Sequence, residues 1–125
     1  MSRLKFAILG CGKIAPRHAT EIKKHGELIA VCDIIPEKAD QLAKEFGAKA
    51  FYPPDELYKN SSAIDVVAVC TPNGLHTEHS ITALLNGAHV LCEKPLSISA
   101  TDGRRMIEVA EKTGKKLFVV KSTRY

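Results

Sequence analysis

Tryptophan is absent from this 125-residue sequence, and aromatic residues together make up only 6% of it. The basic residues are also not clustered, because they occur as scattered pairs such as Lys23-Lys24, Arg104-Arg105 and Lys115-Lys116. A nucleic-acid interface needs concentrated basic charge and exposed rings, so we expect the formal net charge of +4 to be spread over a solvated surface. The composition therefore predicts no nucleic-acid partner.

Long hydrophobic runs are missing as well. The longest are a handful of residues, as at 66–70, whereas a helix that crosses a bilayer needs about 20. The first ten residues lead directly into a strand-like pattern and contain neither the apolar core nor the cleavage site of a signal peptide. We therefore expect a cytoplasmic protein with no membrane partner.

Metal-binding spacings are also lacking. The four cysteines are too far apart for a paired Cys-x-x-Cys motif and fall in or beside apolar strand patterns, which is typical of reduced cysteines that fill a core. His76 and His79 are three residues apart on a predicted helix, but no third ligand lies near them and a zinc site needs at least three. The sequence predicts no metal site.

What the sequence does contain is a regular alternation of short apolar segments and helix-periodic segments. Strands are predicted at 5–9, 28–32, 48–52, 66–70, 89–92 and 117–120. Helices are predicted at 14–25, 37–46, 55–59, 75–85 and from a capping box at 99–102 to about 113. Because crossovers between parallel strands are right-handed, this pattern predicts an α/β fold with a doubly wound parallel sheet of six strands in the order 3-2-1-4-5-6.

A glycine-rich turn joins the first strand to the first helix. Its sequence, Gly10-Cys11-Gly12-Lys13-Ile14-Ala15, fits the dinucleotide-binding fingerprint Gly-x-Gly-x-x-Gly/Ala. Gly10 permits the tight turn, Gly12 lets a pyrophosphate approach the backbone, and Ala15 allows close helix packing. The N–H groups at the helix start would receive the phosphates. The predicted cofactor contacts of this turn are Gly10, Gly12, Lys13 and Ile14, and residues 1–125 are predicted to form one dinucleotide-binding domain.

Asp33, at the end of the second strand, bears on the choice of cofactor. A carboxylate there accepts hydrogen bonds from the ribose diol of adenosine but repels a 2′-phosphate. No arginine follows it, and Lys38 is the only nearby basic residue that a phosphate could meet. The pattern favours NAD over NADP. A helix-capping role for Asp33 is compatible with this interpretation.

Two further motifs follow strands four and five, at the edge where ligands bind in open α/β sheets. They are Thr71-Pro72-Asn73-Gly74-Leu75-His76 and Glu93-Lys94-Pro95. Together with the glycine turn and Thr123-Arg124-Tyr125, they make the whole sequence resemble the family of glucose-fructose oxidoreductase, inositol dehydrogenase and rhizopine catabolism proteins (Gfo/Idh/MocA).

This resemblance implies an NAD(P)-dependent dehydrogenase that acts on a sugar, cyclitol or sugar nucleotide, in a full-length protein that forms homo-oligomers. It makes Lys94 the proton-handling catalytic residue beside the nicotinamide. It implies further cofactor contacts at Thr71, Pro72, Asn73, His76, Glu93, Lys94 and Arg124. Relatives carry a C-terminal substrate domain that this chain lacks, so we expect the chain alone to be inactive.

Two other functions remain open on the sequence. A lone domain of this kind could be a non-catalytic nucleotide-binding or regulatory module. An S-adenosylmethionine-dependent methyltransferase shares the glycine turn and the strand-end acid, but it gives no role to Glu93-Lys94-Pro95.

Overall fold

The computed structural model describes residues 4–60, 64–70, 76–93 and 100–120. The strands are β1 (Leu4–Leu9), β2 (Gly26–Cys32), β3 (Lys49–Phe51), β4 (Val66–Val69), β5 (His89–Glu93) and β6 (Leu117–Val120). The helices are α1 (Ala15–His25), α2 (Pro36–Phe46), α3 (Pro54–Asn60), α4 (His76–Leu85) and α5 (Ala100–Thr113). The strands form one parallel sheet in the order β3-β2-β1-β4-β5-β6, which confirms the predicted topology.

Helices cover both faces of the sheet, which explains why its central strands read as continuous apolar runs. All four residues of β4 are buried. Neighbouring side chains of β1 enter opposite halves of the core, since Ile8 packs in a cluster with α1 and α2 while Leu9 packs in a cluster with α3, α4 and α5. The sheet is therefore the middle of three layers, and the loops that follow β1 and β2 lie at its carboxyl edge.

The junction between α1 and β2 differs from the prediction. α1 ends at His25 as predicted, with Gly26 as its C-cap, but β2 starts at Gly26 itself, two residues before the predicted start at Leu28. The backbone of Gly26 is extended, with φ −168°. A Cβ atom at this position would lie 2.6 Å from the carbonyl oxygen of Leu4 and 2.6 Å from the ring of Phe6. Glycine is needed here because β1 passes too close for any side chain.

Other differences are small shifts of element ends. β3 and β4 are each shorter than predicted and α3 begins one residue earlier, at Pro54. The predicted end of α2 at residue 46 is confirmed, and Gly47 after it lies in the left-handed region at φ +72°. The predicted capping residue Ser99 lies outside the described residues.

The longest helix, α5, has 14 residues and is too short to span the roughly 30 Å of a bilayer core. Within the described ranges, no helix combines the length and apolar character needed to cross a membrane.

Candidate functional site

The glycine-rich turn is tied to both strands that flank β1. The amide of Gly10 donates to the carbonyl of Cys32 at 2.7 Å, and the amide of Cys70 donates to the carbonyl of Leu9 at 2.7 Å. Gly10 has φ +98°, a left-handed conformation that only glycine adopts at little cost. These two hydrogen bonds fix the position of the turn relative to the ends of β2 and β4.

Asp33 connects this turn to the start of α2. One carboxylate oxygen, Oδ2, accepts a hydrogen bond from the amide of Cys11 at 2.8 Å, and the other, Oδ1, accepts one from the amide of Ile35 at 2.9 Å. Ile35 is the N-cap of α2 and no side chain caps that helix, so Asp33 forms a turn ahead of α2 rather than a helix cap. A carboxylate has about four acceptor positions, which leaves two for the hydroxyls of a ribose.

The start of α1 presents unused backbone donors. Within the described part of the chain, the amides of Gly12, Lys13 and Ile14 donate no hydrogen bond. Ile14 is the N-cap of α1 without a side-chain cap, and the first turn of the helix holds no acidic residue. Free N–H groups and the positive end of the helix dipole together favour an anion such as a phosphate.

Neither the backbone conformation nor any contact within the described protein requires glycine at position 12. Its φ is outside the left-handed region, and a Cβ atom there would meet no protein atom within 4 Å. This open space is beside Gly12, whose own amide and those of the next two residues are free. This is the space that the diphosphate of a dinucleotide requires, so the residues present fit such a cofactor.

A cleft of about 530 Å³ extends from the glycine turn along the carboxyl edge of the sheet. Its lining residues are Leu9, Gly10, Gly12, Cys32, Asp33, Ile34, Ile35, Lys38, Tyr52, Pro54, Cys70 and His79. Ile34 is 74% exposed although it is a large apolar residue. Tyr52 lies on the same wall, where its hydroxyl donates to Asp40 at 2.7 Å. These side chains offer an apolar surface that suits a flat base.

This apolar surface of Ile34 and Tyr52 was not predicted from the sequence. The available signal was Ile34-Ile35, two isoleucines directly after Asp33 that belong to neither the strand pattern nor the helix pattern. Tyr52 had no comparable signal, because only the pairing of β2 with β3 brings it beside the cleft.

Most titratable groups around the cleft are uncharged at neutral pH. Burial, followed by the negative charge of Asp33, raises the pKa of the Cys11 and Cys32 thiols to about 12. Burial lowers the pKa of His79, and the charge of Glu78 opposes this only in part. Asp33 is the acidic residue and Lys38 is the lysine among the described residues that line the cleft.

The structure describes five of the predicted site residues in full: Gly10, Gly12, Lys13, Ile14 and Asp33. Of these, Gly10, Gly12 and Asp33 line the cleft, and Lys13 and Ile14 follow Gly12 in the glycine turn. The backbone alone is described for His76, which begins α4, and for Glu93, which ends β5. Thr71, Pro72, Asn73, Lys94 and Arg124 lie outside the described residues. Over the described ranges, no group of three or more His, Cys, Asp or Glu side chains is placed to hold a metal ion.

A turn with free amides between β1 and α1, an acid at the end of β2 and a cleft at the carboxyl edge define a dinucleotide-binding Rossmann domain. Residues 4–121 match the GFO_IDH_MocA model, described as the oxidoreductase family with an NAD-binding Rossmann fold, and the chain belongs to this family. The resemblance read from the sequence is confirmed, as are an oxidoreductase NAD-binding domain and NAD as its cofactor.

Two curated relatives are sugar dehydrogenases by name. D-glucoside 3-dehydrogenase of Escherichia coli is 38% identical over 119 residues, which cover 93% of this chain and 34% of the relative. Glucose-6-phosphate 3-dehydrogenase of Bacillus subtilis is 41% identical over 110 residues, which cover 86% of this chain and 31% of the relative. The chain thus spans about a third of the length of these relatives.

A solved structure with the same fold is the WlbA dehydrogenase from Chromobacterium violaceum, in complex with NADH and UDP-GlcNAcA. It superposes with a TM-score of 0.90 at 36% identity, over 96% of this chain and 35% of the other.

Proposed function

We propose that this chain is the cofactor-binding part of an NAD-dependent dehydrogenase that moves a hydride between nicotinamide and an alcohol carbon of a sugar, cyclitol or sugar nucleotide. The sugar dehydrogenases among its relatives support the reaction class. The observation that carries the proposal is the pairing of Asp33 with the free amides at the start of α1, held together by the hydrogen bond from Cys11 to Asp33.

Each part of the cleft has a role in this proposal. The amides of Gly12, Lys13 and Ile14 would hold the diphosphate, because they are unpaired donors at the positive end of a helix. Asp33 would accept hydrogen bonds from the adenosine ribose, and Ile34 would pack on the adenine.

When bound, NAD would supply the acceptor for the hydride. The proposed task of Lys94 is to take the proton that the substrate hydroxyl releases, since it follows Glu93 at the end of β5. The pairing of Val69 with Cys92 places the ends of β4 and β5 side by side at the edge that carries the cleft. We further propose that Thr71, Pro72, Asn73 and His76 line the nicotinamide half, and that Glu93 and Arg124 add to the cofactor contacts.

The substrate wall of the site is proposed to come from a further domain. The chain spans about a third of the length of its relatives, and we take residues 1–125 as the dinucleotide-binding domain of a longer protein.

Titration calorimetry with NAD tests the proposed cofactor role, with Gly12→Val as the informative variant. The Cβ of a valine at this position would occupy the open space beside Gly12, where no protein atom lies within 4 Å of it. We expect the variant to lose at least a hundredfold in NAD affinity while its melting temperature stays within a few degrees of the parent.

Gly103→Val is the matched control. Gly103 also lacks a positive φ and has open space around its Cβ position, but it lies in α5, outside the residues that line the cleft. It should leave NAD binding unchanged. Absence of NAD binding to the parent chain, or full binding by Gly12→Val, would refute the proposed site.

A further inference from the structure

Tyr52 stands next to Asp33 at the carboxyl edge of the sheet. Cys32 of β2 pairs with Phe51 of β3, so Asp33 and Tyr52 are the residues that follow a paired position on neighbouring strands. The amide of Asp33 donates to the carbonyl of Phe51 at 3.1 Å, which joins the ends of the two strands. Because a nucleoside base is bonded directly to its ribose, a ligand with its ribose at Asp33 has its base within reach of the Tyr52 ring.

Two hydrogen bonds fix Tyr52, one through its backbone and one through its side chain. The thiol of Cys32 donates to the carbonyl of Tyr52 at 3.4 Å, and the hydroxyl of Tyr52 donates to Oδ1 of Asp40 at 2.7 Å. Asp40 lies on α2 and is not among the described residues that line the cleft. The hydroxyl is thus used within the protein, which leaves the ring as the part of Tyr52 that a ligand can meet.

The bond to Asp40 matters because packing alone does not hold the ring. The side chain of Tyr52 is 37% exposed, so few neighbours restrict its rotation. A side chain that is ordered before a ligand arrives loses little conformational freedom on binding, and this raises the affinity. Asp40 can therefore strengthen the binding of a ligand that it does not touch.

We propose that Asp40 is a positioning residue for the base of the cofactor: through Tyr52 it holds a preformed aromatic surface on the wall that also carries Ile34, and the adenine packs against this surface. The proposal rests on the proposed function, because it places the ribose at Asp33. When the bond between Asp40 and Tyr52 is lost, the ring is free to leave the wall. The affinity then falls although every group that contacts the ligand is still present.

A double-mutant cycle measured by titration calorimetry with NAD and with AMP tests this role. Asp40→Ala and Tyr52→Phe should each weaken both ligands about three- to tenfold, the cost of ordering one side chain on binding. Both changes break the same bond, so the double variant should lose no more than either single variant. Asp40→Asn keeps an acceptor oxygen and removes the charge, and its affinities should stay within about twofold of the parent.

The ionisation of tyrosine measures the same bond without a ligand. The hydrogen bond to Asp40 raises the pKa of Tyr52, so one tyrosine should ionise at a lower pH in Asp40→Ala than in the parent. Ultraviolet absorbance of the phenolate follows this, and the absence of tryptophan leaves the signal free of overlap. Glu45→Ala is the matched control, since it removes a carboxylate from α2 outside the cleft and should change neither the titration nor the two affinities.

Three results would overturn the role of Asp40 while NAD binding stands. They are parental NAD affinity in both Asp40→Ala and Tyr52→Phe, additive losses in the double variant, and an equal loss in Asp40→Asn and Asp40→Ala. Failure of the parent to bind NAD, with an AMP affinity that still depends on Asp40, would instead refute the proposed function and leave the base surface in place. Binding of neither ligand would refute both.

Discussion

At the scale of single residues, Asp33 has two roles, one in cofactor binding and one in holding the backbone around it. The sequence alone does not distinguish them. Its position after β2 suits the adenosine ribose, and its two oxygens also hold the glycine turn and the start of α2 through backbone amides. Hydrogen bonds to a charged acceptor each contribute about 1.5 to 3 kcal/mol. Replacing Asp33 should therefore affect both cofactor choice and stability.

Asp33→Asn is predicted to narrow the preference for NAD over NADP about tenfold or more, because it removes the charge that repels a 2′-phosphate. It should also lower the free energy of unfolding by about 1 to 3 kcal/mol, since an amide offers one acceptor oxygen in place of two. Cofactor titration and denaturant unfolding measure the two effects. Glu45→Gln, which removes a charge from α2 outside the cleft, should change neither, and an unchanged cofactor ratio in Asp33→Asn would place the acid away from the ribose.

The cysteines give a second prediction at this scale. Cys11, Cys32 and Cys92 are buried as predicted from their apolar surroundings, while Cys70 is half-buried and lines the cleft. Burial raises the pKa of the first three, so thiol reagents at pH 8 should leave them unmodified in the folded chain and label Cys70 alone. All four should react after denaturation. Rapid labelling of Cys11 or Cys32 in the native state, located by peptide mass, would show that these thiols are not buried.

The same pKa shifts predict a loss of stability in alkali. The pKa of Cys11 and Cys32 is about 12 in the folded state against an ordinary value of 9.0, so the unfolded chain releases these protons first as pH rises. The stabilisation is complete below about pH 9 and decreases towards pH 12. Denaturant unfolding at pH 8, 9 and 10 should show a falling free energy, with a smaller fall in Cys32→Ala. Equal slopes in parent and variant would show that this thiol does not contribute.

At the scale of elements, the contact between β1 and β2 depends on a glycine whose role is steric. Gly26 lies in extended backbone, and β1 approaches it closely through the carbonyl of Leu4 and the ring of Phe6. The register of this strand pair also shifts between Phe6 and Ala7, next to the same ring. Gly26 ends α1, as the sequence predicts, and in addition it leaves room for β1, which the sequence does not show.

Gly26→Ala is predicted to destabilise the chain by about 1 to 3 kcal/mol, the usual cost of overpacking, because a backbone carbonyl cannot move aside as a side chain can. Urea unfolding measures the change. Gly103→Ala is the matched control, since its Cβ would meet no protein atom and alanine is the better helix former by about 1 kcal/mol. Equal stability of Gly26→Ala and the parent would mean that β1 and β2 can separate there without cost.

At the scale of the whole molecule, the parallel sheet gathers residues from distant parts of the chain at one edge. The turn after β1, the acid after β2 and the ends of β4 and β5 all lie there because the strands run in the same direction. In the proposed function this edge supplies the cofactor wall, and the substrate wall belongs to a longer protein.

This arrangement predicts binding without turnover for the 125-residue chain. It should bind NAD and produce no NADH from a panel of sugars, cyclitols and sugar nucleotides, as followed by absorbance. In the longer protein, Lys94→Ala and Lys94→Arg should each lower kcat about a hundredfold or more and leave NAD affinity within a few fold. Steady NADH production by the short chain would contradict the two-part site, and near-normal kcat in Lys94→Arg would exclude proton transfer by this residue.

The sequence by itself determined the order of the elements, the topology of the sheet, the glycine turn and the acid at the end of β2. These features follow from periodicity, from the handedness of crossovers and from motifs whose residues are close in the chain.

Only the tertiary structure decided how the site is held and what its walls are. The bond from the Cys11 amide to Asp33 joins residues 22 apart, and Ile34, Lys38 and Tyr52 meet at the cleft only once β2, α2 and β3 are packed. Contacts of this kind depend on distances between separate elements, which no local pattern of residues encodes. The same is true of Gly26, whose need to be glycine comes from the approach of a neighbouring strand and not from its own conformation.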